Sequence, residues 1–173
     1  MGDPKKQRKK FSKPDHPWRK ERIEEETEIV KQYGLKRKYE VWKMKSTLSK
    51  YLNRAKTLIA QRSAQSQIET QQLLTRLHTL GLIKKDSRVE DILNLKLKDV
   101  LERRLQTLLL RKKLANSMLQ ARQLIVHEFI AVGARKVTSP SYLVPLNEEP
   151  MIKLAKAINL AQPVKEQKAE KKE

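Results

Sequence analysis

Apolar residues at helical spacing predict three long helices in the first half of the chain. The first covers the charged residues 19–33 and ends at Gly34, because glycine readily adopts the left-handed conformation that follows a helix. The second lies within Leu35–Arg62 and the third within Ala64–Leu80, which Gly81 ends. Spacing of i, i+3 and i+4 predicts these buried residues: Leu48, Leu52, Ala55, Leu58 and Ile59 on the second helix, and Ile68, Leu73, Leu74, Leu77 and Leu80 on the third.

Two shorter helices are predicted between Ser87 and Leu110. Ser87 and Glu90 are spaced as in a capping box, in which each side chain bonds the other residue's backbone N–H, and they predict a helix through Leu93. A further helix is predicted from Asp99 to Leu110. Its inward residues are Leu101, Leu105, Leu108 and Leu109, and its outward residues are Glu102, Arg103 and Arg104.

The pattern changes from helical to alternating near residue 129. Ser117 and Gln120 have capping-box spacing and predict a helix from Met118, with a buried stripe of Ala121, Leu124 and Ile125. Beyond Phe129 the apolar period becomes two, which is typical of strands. Three short strands are predicted at residues 130–132, 135–137 and 142–144, with Gly133-Ala134 turning the first pair and Pro140 interrupting the pairing before the third.

These elements together indicate a mainly helical α+β protein. We predict a basic extended arm at residues 1–18, a helical domain at 19–98, a helix-plus-hairpin module at 99–150, and a C-terminal segment at 151–173. That last segment is expected to contain a short helix within Met151–Leu160 and then a flexible charged tail.

The charge balance points to a polyanionic partner. The chain carries 39 Lys and Arg residues against 20 Asp and Glu residues, a formal net charge of +19. Such a charge repels itself unless a polyanion neutralises it, which favours nucleic acid and, second, an anionic membrane surface. No apolar run approaches the roughly 20 residues of a spanning helix, and the N-terminus is charged where a signal peptide is apolar. We therefore predict no membrane partner. The lack of cysteine excludes disulfides and thiolate metal sites.

One predicted helix concentrates this charge. Leu35–Arg62 contains nine cations and a single acid, Glu40. Solvated faces normally mix both signs, so we interpret this face as binding nucleic acid. The arm is predicted to be disordered when free and to order on RNA. Its Trp18 either stacks on a base or ribose or packs the arm onto the helical domain.

No catalytic constellation is found. His16, His78 and His127 lie far apart, without a serine or cysteine partner at a recognisable spacing. The four glycines are single and form no phosphate-binding loop. The acidic clusters 24–26 and 148–149 lie on charged segments with no desolvating pocket. We therefore predict a protein that is not an enzyme and that uses no cofactor and no metal.

Four segments of the module resemble the RNA-binding domain named after small-subunit ribosomal protein four: Glu102–Thr107, Gln120–His127, Ile130–Gly133 and Ser139–Val144. The basic arm, the Tyr33–Lys36 segment and the helices between also resemble that ribosomal family in its archaeal form, over roughly residues 5–150. His127-Glu128-Phe129 stands where members commonly have His-Gly-His, and Gly133-Ala134 where they have Asn-Gly. The acid Glu128 weakens the case for a phosphate contact there, whereas Gly133 can still supply the positive φ of the turn.

The resemblance implies a structural constituent of the small ribosomal subunit in the cytoplasm. Members of the family are primary rRNA-binding proteins that nucleate assembly of the subunit body and contribute to translational accuracy. The implied partners are small-subunit rRNA, small-subunit ribosomal protein five, other ribosomal proteins, and mRNA where it enters the subunit.

The resemblance carries RNA contact onto seven residues of the module, namely Arg103, Arg104, Arg122, Gln123, His127, Arg135 and Lys136, and we add Lys112 and four cations before the module to this prediction. Arginine pairs bidentately with phosphate, and RNA junctions are recognised mainly by shape and backbone. The predicted RNA-binding residues are Arg103, Arg104, Lys112, Arg122, Gln123, His127, Arg135 and Lys136 in the module, and Lys9, Arg19, Lys20 and Arg54 before it. His127 alternatively bonds a backbone carbonyl at a helix end, and Tyr142 is expected to be a core residue under the hairpin rather than a stacking platform.

Two other functions remain open at this stage. Similar domains serve as accessory modules in RNA-modifying enzymes, but the rest of this chain offers no candidate catalytic residue. A free-standing ribosome-associated RNA-binding factor resembles the isolated domain, and the long helical region before the module argues against it.

Overall fold

Three long helices form the first half of the fold, as the apolar period predicts. The computed structural model describes residues 9–61 and 63–155. In it α1 spans Lys20–Gln32, α2 Lys38–Ala60 and α3 Ala64–Thr79. Gly34 follows α1 at φ +55° and Gly81 follows α3 at φ +68°, so both predicted helix ends are confirmed. The mainly helical α+β class is confirmed as well. The predicted tail, and residues 1–8 of the arm, lie outside the described residues.

The α2–α3 pair buries a core with a 3₁₀ helix at Val89–Asn94. Its fully buried residues are Ala55, Leu58, Leu73, Leu77 and Ile92. Ile59 and Ile68, predicted to be buried, are exposed. Both lie near the α2–α3 turn, where the buried positions are Leu58 and Ser66.

The capping box predicted at Ser87 and Glu90 is wrong by one residue. The backbone N–H of Arg88 donates to Asp91 Oδ2 at 2.8 Å, so Asp91, not Glu90, closes the first turn. The element that follows is the 3₁₀ helix rather than an α-helix.

The single helix predicted from Asp99 to Leu110 is two helices. α4 spans Leu97–Glu102 and α5 spans Leu105–Arg111, with Arg103 and Arg104 between them. The segment around Leu143 lies antiparallel to this break. Val144 N donates to Arg103 O at 3.0 Å, and Leu105 N donates to Tyr142 O at 2.8 Å. Distant backbone thus supplies the hydrogen bonds that a continuous helix would have made.

The last helix and the hairpin follow the prediction closely. α6 spans Met118–Val126, and Ser117 Oγ accepts from Gln120 N at 3.2 Å. β1 (Ile130–Val132) and β2 (Arg135–Lys136) pair antiparallel, and Gly133 between them has φ +61°. The predicted capping residue, the turn and the first two strands are therefore confirmed.

The third strand was predicted in the wrong place. Leu143 makes only an isolated bridge to Arg104. The strand that completes the sheet is β3 (Ile152–Leu154), which pairs antiparallel with β1 on the side opposite β2 and opposes Ile130 with Leu154. A short turn or helix was expected within Met151–Leu160. Met151 ends a 3₁₀ helix at Glu149–Met151, but residues 152–154 form β3, so the expectation is wrong there. Residues 156–160 lie outside the described residues.

Two further cores join these elements. The sheet packs on α5 and α6 around buried residues that include Leu105, Leu109, Ile125, Ile130 and Val144, with Tyr142 partly buried against them as expected. The other core connects the two halves of the chain, because residues of the α1–α2 region pack with α4. Its buried members are Tyr33, Leu35, Val41, Met44, Leu48, Val100 and Leu101.

Candidate nucleic-acid interface

All the charged side chains on the exposed face of α2 are cations, because the one acid of the helix points inward. The helix carries six Lys and Arg residues and a single carboxylate, Glu40, which is only 7% exposed. The cations line the remaining surface of the helix: Lys38, Lys43, Lys45, Lys50, Arg54 and Lys56. Such a face attracts phosphate at long range.

Two arginines from the second half of the chain hold Glu40. Arg104 Nη2 donates to Glu40 Oε2 at 2.9 Å, and Arg122 Nη2 donates to Glu40 Oε1 at 3.1 Å. Burial alone would raise the pKa of Glu40, but the hydrogen bonds from Arg104 and Arg122 outweigh it, so the pKa lies below its ordinary value. The carboxylate is therefore charged and joins α2 to α5 and α6.

Arg104 was predicted to face outward, and that prediction is wrong. It is 1% exposed, and its Nε and Nη1 have no hydrogen-bond partner among the described residues. The reason is the break between α4 and α5, which redirects the side chain into the junction with α2. Arg122 keeps a side-chain exposure of 24% and so reaches both Glu40 and the surface.

Two other predicted residues are engaged within the module. Arg103 Nη1 donates to Glu149 Oε2 at 2.8 Å and Nη2 donates to Val144 O at 2.9 Å. Lys112 Nζ donates to the backbone oxygen of Glu149. Both side chains are partly buried and fasten the segment before β3 to α5.

Four predicted residues are exposed on the outer side of the module. Gln123 lies on α6, His127 at its end, and Arg135 and Lys136 on β2. In the part of the chain that the structure describes, none of these four side chains makes a hydrogen bond or an ion pair. The alternative that the His127 ring bonds a backbone carbonyl is not seen. Glu128 beside it is exposed at φ +62°.

The cations predicted before the module are exposed but loosely paired. Lys9 Nζ lies 5.7 Å from the centre of the Phe11 ring. The ion pairs are Arg19 with Glu21 at 2.8 Å, Lys20 with Glu24 at 3.8 Å and Arg54 with Glu69 at 3.2 Å. Exposed pairs of this kind contribute little to stability, so these cations remain available to a polyanion.

Phe11 holds the described part of the arm against α2, a role that the sequence did not assign to it. Its ring centre lies 6.1 Å from those of Tyr39 and Trp42, and Ser12 N donates to Ser46 Oγ at 3.2 Å. Trp18 is instead 90% exposed. The interpretation that Trp18 packs the arm onto the helices is therefore wrong.

A groove between α2 and α3 adds cations that were not singled out. It has a volume of about 430 Å³ and is lined by Thr47, Lys50, Tyr51, Arg54, Gln72, Leu73 and Arg76. Arg76 is separated from Arg54 by the whole turn between the helices, so only the pairing of α2 with α3 brings them together. The signal in the sequence that could have indicated this groove is a comparison of the helical wheels of α2 and α3, which shows the cations that face the same side.

Tyr33 anchors the end of α1 to α4. Its hydroxyl donates to Glu102 Oε1 at 3.1 Å, and burial first, then Glu102, raise the pKa of Tyr33 to about 12. Arg111 donates to both oxygens of Glu102 and lowers the pKa of that carboxyl. These contacts fasten the end of α1 to α4 and α5.

Neither a metal centre nor a membrane segment is found in the described residues. Residues 9–61 and 63–155 contain no group of three or more His, Cys, Asp or Glu arranged to hold a metal ion. Within the same residues, every helix is too short or too polar to cross a bilayer.

Comparison with known proteins agrees with this geometry. The S4 domain family model matches residues 103–149, which hold α5, α6 and the hairpin. Small ribosomal subunit protein uS4 of Methanococcus aeolicus is 49% identical over 153 residues, covering 88% of this chain and 86% of the relative. The uS4 protein of Saccharolobus islandicus strain L.S.2.15 is 48% identical over 153 residues, covering 88% and 84%. With an S4 domain at its C-terminal side and relatives that match along most of its length, the chain belongs to the uS4 family of small ribosomal subunit proteins.

Proposed function

We propose that this protein is a structural constituent of the small ribosomal subunit and binds small-subunit rRNA mainly through its phosphate backbone. The observation that carries the proposal is the inward turn of Glu40, which leaves the exposed face of α2 without any acid. Phosphate contacts supply most of the affinity of such surfaces and do not depend on base sequence.

The predicted contact residues divide into two roles. Gln123, His127, Arg135 and Lys136 are exposed and unpaired within the described residues, so we assign them direct contact with RNA. Arg19, Lys20, Arg54 and Lys9 extend that surface along the arm and the helices. Arg122 contacts Glu40 and also reaches the surface. Arg103, Arg104 and Lys112 instead hold the backbone that positions the exposed contact residues.

The finer roles follow from the family. We infer that binding to naked rRNA precedes that of other proteins and nucleates the subunit body, and that the protein acts in the cytoplasm without catalysing a reaction. Contact with small-subunit ribosomal protein five, with mRNA where it enters the subunit, and an effect on translational accuracy belong to the same proposal.

The decisive experiment measures binding to naked small-subunit rRNA with excess tRNA competitor over a range of salt concentrations. We expect saturable one-to-one binding that survives the competitor. Replacing both Arg135 and Lys136 with Ala should make the negative slope of log K against log salt less steep, by somewhat under one unit for each lost phosphate contact.

The matched control is Lys84→Ala with Lys85→Ala, which removes the same charge from the exposed loop between α3 and the 3₁₀ helix. The control should retain a steeper slope than the hairpin variant. Binding that titrates away with tRNA would contradict the proposal and would favour a factor that needs a preformed ribosomal surface. Equal slopes in both variants would remove the hairpin from the interface.

A further inference from the structure

A cleft beside the arm combines an exposed aromatic ring with positive charge. Its volume is about 480 Å³, and its walls include Lys13, Pro17, Trp18, Ile23, Lys38 and Trp42. Trp18 is 90% exposed although a tryptophan buries more apolar surface than any other side chain when a partner covers it. The hairpin interface described above does not use this cleft.

The charges of the cleft select the class of partner. Lys13, Arg22 and Lys38 line it together with one acid, Glu26, which leaves a net charge of +2. A partner for this site must offer a flat apolar face to Trp18 and negative charge to the lysines. A nucleotide in single-stranded RNA has both, because its base stacks on an aromatic ring while its phosphates pair with cations.

Glu26 gives the cleft a hydrogen-bond acceptor. The residue is only 6% exposed, so the expectation that the acidic cluster 24–26 lies on a charged surface segment is wrong for Glu26. Its Oε1 accepts from Arg22 Nη1 at 2.6 Å and from Trp42 Nε1 at 2.9 Å, whereas its Oε2 accepts no hydrogen bond among the described residues. This Oε2 atom is itself shielded from solvent. A buried acceptor without a partner is costly, so a ligand that displaces the side chains covering Oε2 and donates to it recovers that cost.

We propose that this cleft is a binding site for one unstacked nucleobase of RNA, held by Trp18 and read by Glu26. The proposal rests on the proposed rRNA-binding function and adds to it a site that recognises a base rather than phosphate. Lys13 and Lys38 hold the flanking phosphates. Trp42 and Ile23 also line the cleft and offer apolar surface to the base.

The lone carboxylate oxygen also predicts which bases bind well. An ionised carboxylate only accepts hydrogen bonds, so the base must present N–H groups to it. Guanine presents an amino group beside a ring N–H. Uracil presents one N–H between two carbonyl oxygens, which the carboxylate repels. The site should therefore favour guanine over uracil.

The test measures the affinity of the full chain for three labelled RNA hexamers by fluorescence anisotropy. One carries guanine at its centre, one carries uracil there, and the third carries no base at that position; the remaining positions of all three are abasic. We expect the guanosine hexamer to bind about ten-fold more tightly than the abasic one, as one stacked base implies. Trp18→Ala should remove that difference, Trp18→Phe should keep most of it, and Leu119→Ala, at an exposed apolar residue of α6, should leave it unchanged.

Glu26→Gln tests the acceptor. It should reduce a guanosine-over-uridine preference that we expect to be about ten-fold in the unmodified protein, and far-UV circular dichroism checks that the fold persists. Equal binding of the guanosine and abasic hexamers, or an unchanged difference in Trp18→Ala, would overturn the base site. An unchanged preference in Glu26→Gln would overturn the role of Glu26. Because affinity for the abasic hexamer reports phosphate contacts alone, none of these results depends on the salt slopes that test the proposed function.

Discussion

Glu40 shows how one side chain can determine both the packing and the charge of a surface. It lies on the helix with the most cations, yet it is buried against Arg104 and Arg122, which follow it by more than sixty residues in the sequence. Two guanidinium groups share one carboxylate, so the buried cluster keeps a net charge of +1. Buried charges persist only where partners compensate them. Removing the carboxylate would therefore leave Arg104 buried without a counter-charge.

We predict that Glu40→Gln lowers the free energy of unfolding at pH 7 by about 3–5 kcal/mol, the usual effect of breaking a buried ion pair. Urea denaturation measures the change. Glu21→Gln is the matched control, because Glu21 forms an exposed pair with Arg19 and should change stability by at most about 1 kcal/mol. Equal effects of the two substitutions would contradict a structural role for Glu40.

The pH dependence of stability gives the same prediction a second readout. The pKa of Glu40 in the folded protein lies below its ordinary value of 4.5. The stability that the ionised carboxylate contributes is therefore fully present above pH 4.5, and it is lost as the pH falls through the lower pKa of the folded protein. The unfolding free energy should therefore fall more steeply below pH 4.5 in the unmodified protein than in Glu40→Gln.

Arg103 and Arg104 look alike in the sequence but differ in the structure. A continuous helix from Asp99 predicts both to face outward. The break after Glu102 depends on backbone bonds to Tyr142 and Val144, some forty residues later, so no local pattern announces it. The exposed cations of β2 were predictable from the local sequence, because two adjacent charged residues follow the Gly133-Ala134 turn and charged side chains are rarely buried without a partner.

At the scale of elements, three segments meet at Gln106. Its side chain is 1% exposed, and its Nε2 donates to Gly34 O at 3.1 Å and to Met118 O at 2.9 Å. The turn after α1 and the start of α6 are thereby held on α5. Gly34 comes so close to α6 that a Cβ atom there would lie 2.6 Å from Met118 Cβ.

Gly34→Ala should therefore destabilise the fold more than Gly133→Ala does. Both glycines have positive φ, so alanine costs about 1–2 kcal/mol at either site. At Gly133 the added Cβ would meet only Met151 Sδ at 3.8 Å, an ordinary contact. At Gly34 overpacking adds roughly 1–3 kcal/mol. Urea unfolding of both variants gives the difference, and equal losses would show that α6 adjusts freely.

β3 is the element that the sequence described least well. Ile152-Lys153-Leu154 alternates as a strand does, but three residues are too few to distinguish a strand from a helical turn by period alone. Its pairing with β1 decides the outcome. By contrast, α6 and the hairpin carry local signals, a serine cap and a glycine turn, and both were predicted at nearly the correct residues.

At the scale of the whole molecule, the predicted boundary near residue 98 separates two units that share a core. Each half has buried residues of its own, but a third cluster packs Val41 and Met44 of α2 with Val100 and Leu101 of α4. The Glu40 cluster and Gln106 cross the same boundary. The positive charge also spans both halves, because α2 and β2 both expose cations, and the shared core holds these two cationic surfaces together.

Because of that shared core, we predict that the two halves unfold together. Both tryptophans lie in the first half, so tryptophan fluorescence follows that half, whereas far-UV circular dichroism follows every helix. The urea midpoints of the two signals should coincide, as a two-state transition requires.

Ile125→Ala, in the core of the second half, should lower stability by about 2–5 kcal/mol and shift both signals equally. Val126→Ala, at the exposed neighbouring position, should shift neither by more than about 0.5 kcal/mol. A fluorescence transition that stays in place while the dichroism transition moves would show two independent domains, and the junction at Glu40 would then be too weak to hold one rigid RNA-binding surface.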